Sequence, residues 1–442
     1  MSRSAIGLLH IFRTPRMGNG LATLTGMVPF PPPLRGISGK AFFIIRDACG
    51  IVGNFAGKWL DTSSPMMELG SIQMLFKKES VQMGMDQFFD ALSTSRRNFL
   101  TYASLASMFP IQCSRANNMI DASPDVENKR KILQKCLGGP WPEAVSLDAK
   151  VEKTEQKDGY QLIRVNYLVE PTERIAAWLL IPDKVDAKNK VPGICLWHQH
   201  AGQYDVGKDE PAGVRSPNFG KMHMTGVALA KEGYVVLCPD AAGFGERNNR
   251  IVPGSKKVLK GGELERFLFG KYVTEGKCLA WKNILDMKRA VDYISSRPEV
   301  IPQKLGCYGH SMGSTHTWQI GPWEPRLKAL VGNCCMPTYQ AMERTNLLHC
   351  FPNYVPGWKA HGDIPDIVGL IAPKPLHLNF GETDDGSPIQ EVKAAMPLIK
   401  KAYEAMNAGD NFSWFIEEKT GHVLSDEMWK RTKAHFAKHL KS

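Results

Sequence analysis

Residues 309–313, Gly-His-Ser-Met-Gly, place a potentially nucleophilic serine between two glycines. The apolar residues 304–308 before them predict a buried strand, and a helix is predicted to begin at Met312. A turn this sharp holds the serine in a strained conformation and leaves no room for side chains two positions away. It would expose the Ser311 hydroxyl and leave the Met312 N–H free to donate to an oxyanion. Taken alone, the pattern is also compatible with a glycine-rich turn that happens to contain a serine.

Two later turns supply the partners that a nucleophilic serine needs. Residues 374–380 predict a short buried strand, and Asp384 lies in the turn after it. Residues 412–416 predict the next strand, and His422 follows in a loop. An imidazole can accept the serine proton, and a carboxylate can fix the tautomer of that imidazole and stabilise its charge. We therefore predict a catalytic triad of Ser311, His422 and Asp384.

Strands and helices alternate along most of the chain. Residues 160–168 and 175–181 predict an antiparallel hairpin, and later strands alternate with helices predicted at residues 219–231, 276–296 and 387–406. This alternation favours an α/β fold with a mostly parallel, doubly wound sheet and helices on both faces. A single domain over residues 117–442 accounts for these signals.

The motifs together resemble the α/β-hydrolase superfamily, and within it the acetyl-xylan-esterase-like and dienelactone-hydrolase-like bacterial proteins. The resemblance covers about residues 125–440. Besides the Ser311 turn, it rests on Trp-His-Gln-His-Ala-Gly at 197–202, Cys-Pro-Asp-Ala-Ala-Gly-Phe-Gly-Glu-Arg at 238–247 and Asp-Met-Lys-Arg-Ala-Val-Asp-Tyr-Ile at 286–294. It implies the α/β-hydrolase fold with an N-terminal antiparallel hairpin.

The resemblance also implies roles for single residues. Asp384 is the fourth residue of a Gly-x-x-Asp turn, which is the usual position of the acid in this fold, although chemistry alone leaves Asp385 as an alternative. The loop at 197–202 corresponds to the loop that supplies a second oxyanion donor, which would be the backbone N–H of His200. Gln199 and Ala201 stand where glycines are usual.

His198 and His200 also allow a different interpretation, because imidazoles two residues apart on an extended segment can point the same way and bind a metal. No third ligand has convincing spacing, and serine chemistry needs no metal. We therefore predict no metal and no cofactor, and we place His198 and Gln199 in a loop beside the substrate.

The loop at 239–247 follows a predicted strand and should lie near the same site. Asp240 and Arg247 are expected to brace it as an ion pair, with a substrate contact by Arg247 as the alternative. Residues 338–363, between a strand and the acid turn, are a candidate lid or pocket wall.

The N-terminal part suggests export. A pair of arginines, Arg96-Arg97, precedes a short apolar run and a site for cleavage after Ala116. This order predicts a twin-arginine signal at residues 83–116, with a basic-capped core helix as the alternative. The run is too short to span a bilayer, which needs about 20 residues. If translation begins at Met83 or Met85, residues 1–82 are a non-structured upstream extension that comes from an incorrectly assigned start. The alternative is a genuine disordered leader.

The charge and the cysteines limit the choice of function. Residues 1–116 hold twelve Lys and Arg and six Asp and Glu, so they account for more than half of the net charge of +11. The remaining basic residues are dispersed, which argues against nucleic-acid binding. Cys195, Cys238 and Cys307 fall in predicted central strands and are expected to be buried free thiols.

These observations predict a serine hydrolase of carboxylic esters, with carbohydrate esters as a candidate class, that is exported by the twin-arginine machinery to the periplasm or outside the cell. A small molecule or carbohydrate ester would be the substrate, and no stable membrane span is expected. The alternatives are a serine peptidase of the same fold and a non-catalytic binding protein built on it.

Overall fold

The structure, a computed structural model, describes five strand segments within residues 8–76 and then residues 126–215 and 223–442. The chain divides into two compact units, Met1–Ala116 and Asn117–Ser442. In the first unit Gly20–Pro29 pairs antiparallel with Met66–Phe76, and Phe42–Arg46 pairs antiparallel with Val52–Ala56 and parallel with Leu8–Leu9. These segments fall where the sequence suggests an upstream extension, and the later start stays a prediction. The predicted signal at 83–116 lies outside the described residues.

The second unit is built on one sheet of nine strands. In chain order the strands are β1 (Lys150–Lys157), β2 (Tyr160–Glu170), β3 (Glu173–Pro182), β4 (Val191–Trp197), β5 (Val235–Pro239), β6 (Val300–His310), β7 (Leu327–Asn333), β8 (Leu376–Gly381) and β9 (Phe412–Glu417). Their spatial order is β9-β8-β7-β6-β4-β5-β3-β2-β1.

Strands β4 to β9 run parallel to one another, and β1, β2 and β3 form an antiparallel meander at one edge. Central strands such as β4 and β5 are almost wholly buried because helices cover both faces of the sheet. The α/β-hydrolase fold predicted from the sequence, with its N-terminal hairpin, is confirmed.

Nine α-helices surround the sheet in the described part of this unit: α1 (Val126–Leu137), α2 (Thr225–Lys231), α3 (Gly261–Thr274), α4 (Leu279–Ser295), α5 (Met312–Ile320), α6 (Tyr339–Thr345), α7 (Ile364–Gly369), α8 (Ile389–Ala405) and α9 (Asp426–Phe436). The sequence predicts α2, α4, α5 and α8 but not α1, α3 or the strand β1. Helix α3 buries few residues and β1 is nearly all exposed, so neither has the apolar periodicity that identifies an element.

The two faces of the sheet carry separate cores because successive strand residues point to opposite sides. On β6, Cys307 joins the larger core with α1, α4, α5, α7 and α8, whereas Tyr308 joins the smaller core with α2 and α9. Cys195, Cys238 and Cys307 are buried free thiols, as the sequence predicts. Within the described residues, no helix is both long enough and apolar enough to cross a membrane.

Candidate active site

The centre of the site is the turn from β6 to α5, where Ser311 has a φ of 59° and a ψ of −121°. A φ in this range is strained for a residue with a side chain, at a cost of about 1–3 kcal/mol. A Cβ on Gly309 would lie 2.0 Å from the Gly313 carbonyl oxygen, and one on Gly313 would lie 2.1 Å from that of Trp197. The steric reason predicted for the two glycines is therefore confirmed.

The structure brings Ser311, His422 and Asp384 into one hydrogen-bonded chain. The His422 Nε2 atom lies 2.8 Å from the Ser311 hydroxyl, and its Nδ1 atom lies 2.9 Å from Asp384 Oδ2. A ring protonated on Nδ1 would donate to the carboxylate and accept from the hydroxyl. Asp384 is buried, whereas 37% of the His422 side chain is exposed, so the imidazole is accessible to a substrate.

The turn after β8 separates the two candidate acids. Asp384 directs one oxygen to His422, and its other oxygen accepts from the Gly386 N–H at 2.8 Å. Asp385 is exposed, and the geometry therefore favours Asp384 as the partner of His422.

Both proposed oxyanion donors lie on backbone that approaches the turn. Met312 is the first residue of α5, so its N–H has no acceptor within the helix. The backbone of Trp197 and His198 passes directly beside Gly313, which brings the loop after β4 next to the turn. Ala201 in this loop has a φ of 49°, which lies in the left-handed region that favours glycine. Glycine is the usual residue at this position in the loop that this segment resembles. The use of His200 as the second donor stays a prediction.

The ring of His200 is held by contacts with its own loop, with α3 and with the loop after β5. Its Nδ1 atom accepts from the Gly202 N–H at 3.0 Å, and its Nε2 atom lies 3.3 Å from a carboxylate oxygen of Glu265 on α3. The ring also packs edge-on against Phe244 and Tyr204. These contacts fix the loop that carries the His200 backbone.

His198 connects two loops instead of forming half of a metal site. Its Nε2 atom accepts from the Ala241 N–H at 3.1 Å, and its Nδ1 atom lies 2.9 Å from the Gln199 carbonyl oxygen. Burial lowers the pKa of His198, so the ring stays neutral. Since protein groups occupy both nitrogens, the geometry does not favour the metal interpretation of His198 and His200.

The interpretation of Asp240 and Arg247 as an ion pair is wrong. The Asp240 carboxylate is buried and binds the Lys208 ammonium at 2.8 Å. Arg247 donates to the backbone carbonyl of Asp240 and pairs with Asp286, at 2.8 Å, and with Glu173. The sequence could not identify these partners, because they come from other segments of the chain. Each charge is nevertheless paired, as burial requires, and both residues brace the loop after β5.

Among the described residues, one group could hold a metal ion: Cys334, Asp384 and His422. The Cys334 thiol donates to the Val423 carbonyl at 3.2 Å. Burial and the nearby Asp384 raise its pKa to about 12. Metal binding needs the thiolate and would also break the hydrogen bond between His422 and Asp384, so this group fits the triad interpretation better.

Three further side chains near these loops have no signal in the sequence: the buried Glu210 and Glu265 and the half-buried His349. Glu210 accepts from the Gln199 side chain and from the His223 N–H, and so links the loop after β4 to the start of α2. Isolated Glu and His residues in irregular segments carry no periodic signal. Only a contact in three dimensions identifies them.

The nine-stranded sheet and the strand-to-helix turn at Ser311 define an α/β-hydrolase. A family model described as the Abhydrolase family matches residues 115–433, and the chain belongs to this family of hydrolases.

Known proteins agree with this assignment. "Putative hydrolase YtaP" of Bacillus subtilis (strain 168) is 27% identical over 297 residues, which are 66% of this chain and 93% of that protein. A glucuronoyl esterase from Solibacter usitatus has 14% identity and a TM-score of 0.52 over 71% of this chain and 92% of its own. A "putative acetyl xylan esterase" from Bacteroides fragilis NCTC 9343 has 16% identity and a TM-score of 0.52, over 73% and 82%. At these identities the structures show a shared fold alone.

The close approach at the turn generates a stability prediction. We expect Gly313→Ala to lower the free energy of unfolding by about 1–3 kcal/mol, because the new methyl group would overlap the Trp197 backbone. The matched control is Gly270→Ala on α3, where a Cβ meets nothing within 4 Å, and we expect it to be neutral or stabilising. Urea denaturation would measure both. Equal stability of Gly313→Ala and the wild type would contradict the steric argument.

A second prediction concerns Glu210, because burial raises its pKa to about 7. Between its unfolded pKa of about 4.3 and pH 7, the folded protein holds a proton that the unfolded chain has released. The stabilising contribution is therefore complete below about pH 4 and is lost as the pH rises through 7. We expect the stability difference between the wild type and Glu210→Gln to fall by about 3 kcal/mol over this interval.

Denaturation series at several pH values would measure this difference, with the exposed Glu143→Gln as the control. A difference for Glu210→Gln that does not vary with pH would show that the carboxyl has the same pKa in the folded and the unfolded chain.

Proposed function

We propose that this protein hydrolyses carboxylic esters with Ser311 as nucleophile, His422 as general base and Asp384 as the residue that orients His422. The observation that carries the proposal is the pair of hydrogen bonds at His422, 2.8 Å to Ser311 and 2.9 Å to Asp384. A positioned base of this kind converts a weakly nucleophilic hydroxyl into an attacking group.

In the first half of the reaction, Ser311 Oγ forms a bond to the acyl carbon while its proton passes to His422 Nε2. The carbonyl oxygen becomes an oxyanion, which would accept from the backbone N–H groups of Met312 and His200. Collapse of this intermediate breaks the bond to the alcohol oxygen, and the alcohol leaves with the proton from His422. Asp384 stabilises the imidazolium in between.

In the second half, water replaces the alcohol. His422 takes one proton from the water as its oxygen attacks the acyl-enzyme, and the carboxylic acid leaves when Ser311 Oγ recovers a proton from His422. The proton transfers use only the Ser311, His422 and Asp384 side chains, and backbone N–H groups stabilise the oxyanion, so the proposed reaction needs no metal and no cofactor.

The names of the structural neighbours support esters of carbohydrates as the substrate class. Two of them are named for glucuronoyl ester and acetyl xylan ester cleavage, and a third is a methylesterase, BT1017. As part of the substrate-binding wall we propose the aromatic rings on α3 and in residues 338–363, where Phe269 stacks on Phe351 with centroids 4.8 Å apart. Aromatic faces are suitable surfaces for an apolar acyl group or a sugar ring.

Ser311 and the two acids can be tested together with p-nitrophenyl acetate as substrate. We expect Ser311→Ala to abolish hydrolysis and Asp384→Asn to reduce kcat by about 10⁴-fold, the loss known for a well-studied triad. Asp385→Asn, beside it in the turn, is the matched control and should change the rate little, because its side chain is exposed. An active Ser311→Ala enzyme would refute the proposal, and a larger loss for Asp385→Asn would move the acid to that residue.

We also propose export by the twin-arginine machinery to the periplasm or cell exterior, supported by Arg96-Arg97 and the apolar run after them. A chain that begins at Met85 is expected to reach the periplasm of a bacterium with this machinery. The double variant Arg96→Lys with Arg97→Lys should stay in the cytoplasm, as cell fractionation would measure. Export of the double variant at the wild-type level would exclude this route.

A further inference from the structure

A second hydrogen-bonded chain lies behind Asp384, and its central residue is His349 in the 338–363 insertion. The His349 Nδ1 atom accepts from the Cys350 N–H at 2.9 Å and from the Asn353 amide at 2.8 Å. Because Nδ1 accepts two hydrogen bonds, the proton of the neutral ring must be on Nε2.

The Nε2 side of His349 faces the acid turn. The Cys335 Sγ atom lies 3.8 Å from Nε2, and the Gly386 backbone carbonyl is close enough to the ring to favour its protonated form. A Cβ on Gly386 would be 3.8 Å from His349 Nε2, 3.7 Å from His422 Nδ1 and 3.2 Å from Asp384 Oδ1. Gly386 is thus in contact with both the insertion and the proposed triad.

The other end of the chain returns to the nucleophile. Asn353 is fully buried, and its Oδ1 atom lies 3.2 Å from the hydroxyl of Thr315 on α5. The Thr315 N–H in turn donates to the Ser311 carbonyl at 3.2 Å. The complete ring of contacts runs through Ser311, Thr315, Asn353, His349, Gly386, Asp384 and His422.

We propose that His349 and Asn353 are positioning residues that hold the Gly386 peptide, so that both oxygens of Asp384 keep their donors and His422 stays aligned with Ser311. The inference rests on the proposed triad and adds two residues to it. It also gives the 338–363 insertion a role in the geometry of the acid, in addition to its predicted place in a lid or pocket wall.

The electrostatics of His349 suit this role. Burial and the nearby His422 lower its pKa to about 4, so the ring is neutral at neutral pH. A neutral ring can donate to the Gly386 carbonyl without adding a positive charge that would compete with His422 for the Asp384 carboxylate. A lysine or arginine at this position would donate as well but would add that charge.

The test uses His349→Ala and Asn353→Ala, with His349→Gln as the conservative variant. A glutamine amide can still donate toward Gly386. The matched control is His361→Ala, an exposed histidine of the same insertion. Titration with a fluorophosphonate that labels Ser311 gives the concentration of intact sites, and kcat and KM for p-nitrophenyl acetate are then expressed per titrated site.

We expect His349→Ala and Asn353→Ala to lower kcat per site about 10- to 100-fold, because a small misplacement of the acid is costly, with KM changed less than about threefold. His349→Gln should recover most of the loss, and His361→Ala should match the wild type. A residue that only supports folding would reduce the number of titrated sites and leave kcat per site unchanged.

Wild-type kcat per site in both alanine variants would overturn the inference if Ser311→Ala is inactive. An active Ser311→Ala enzyme would instead overturn the proposed function. If His349→Ala does not fold, the inference is tested with His349→Gln and Asn353→Ala. Wild-type kcat per site in Asn353→Ala would then show that the hydrogen bonds of His349 and Asn353 do not position the acid.

Discussion

The structure depends on one close approach of backbone to backbone, where the turn at Ser311 meets Gly309, Gly313 and the end of β4. The spaces that two Cβ atoms would need are filled by the carbonyls of Gly313 and Trp197. This contact forces Ser311 into its strained conformation and brings the loop after β4 beside the first turn of α5. The proposed nucleophile and the backbone proposed to hold the oxyanion are therefore positioned by the same packing constraint.

The order of the strands then gathers the remaining groups. Strands β6, β7, β8 and β9 are neighbours and run parallel, so their carboxyl ends lie at one edge of the sheet. Ser311 follows β6, Asp384 follows β8 and His422 follows β9. Residues 111 positions apart in the chain therefore come within hydrogen-bond distance.

Buried ion pairs brace the loops at the same edge. Lys208 binds Asp240 behind the loop after β5, and Arg247 joins that loop to Glu173 and Asp286. Isolated charges at these positions would be very unfavourable, and here each has a partner of opposite sign. Because Asp240 and Arg247 pair with other residues and not with each other, the loop has two separate attachments, one to the 207–209 segment and one to α4 and β3.

Features that depend on local pattern could be predicted from the amino-acid sequence alone. The glycines around Ser311, the apolar strands and the turns at Asp384 and His422 were all predictable, because strand period, turn sterics and chain order are local properties. The three-dimensional packing was needed to show that Asp384, and not Asp385, faces His422, and which charges pair with Asp240 and Arg247. It also revealed His349 and Asn353 behind the acid turn. These contacts join segments far apart in the chain, and their geometry is set by how helices and loops pack on the sheet, which no local spacing encodes.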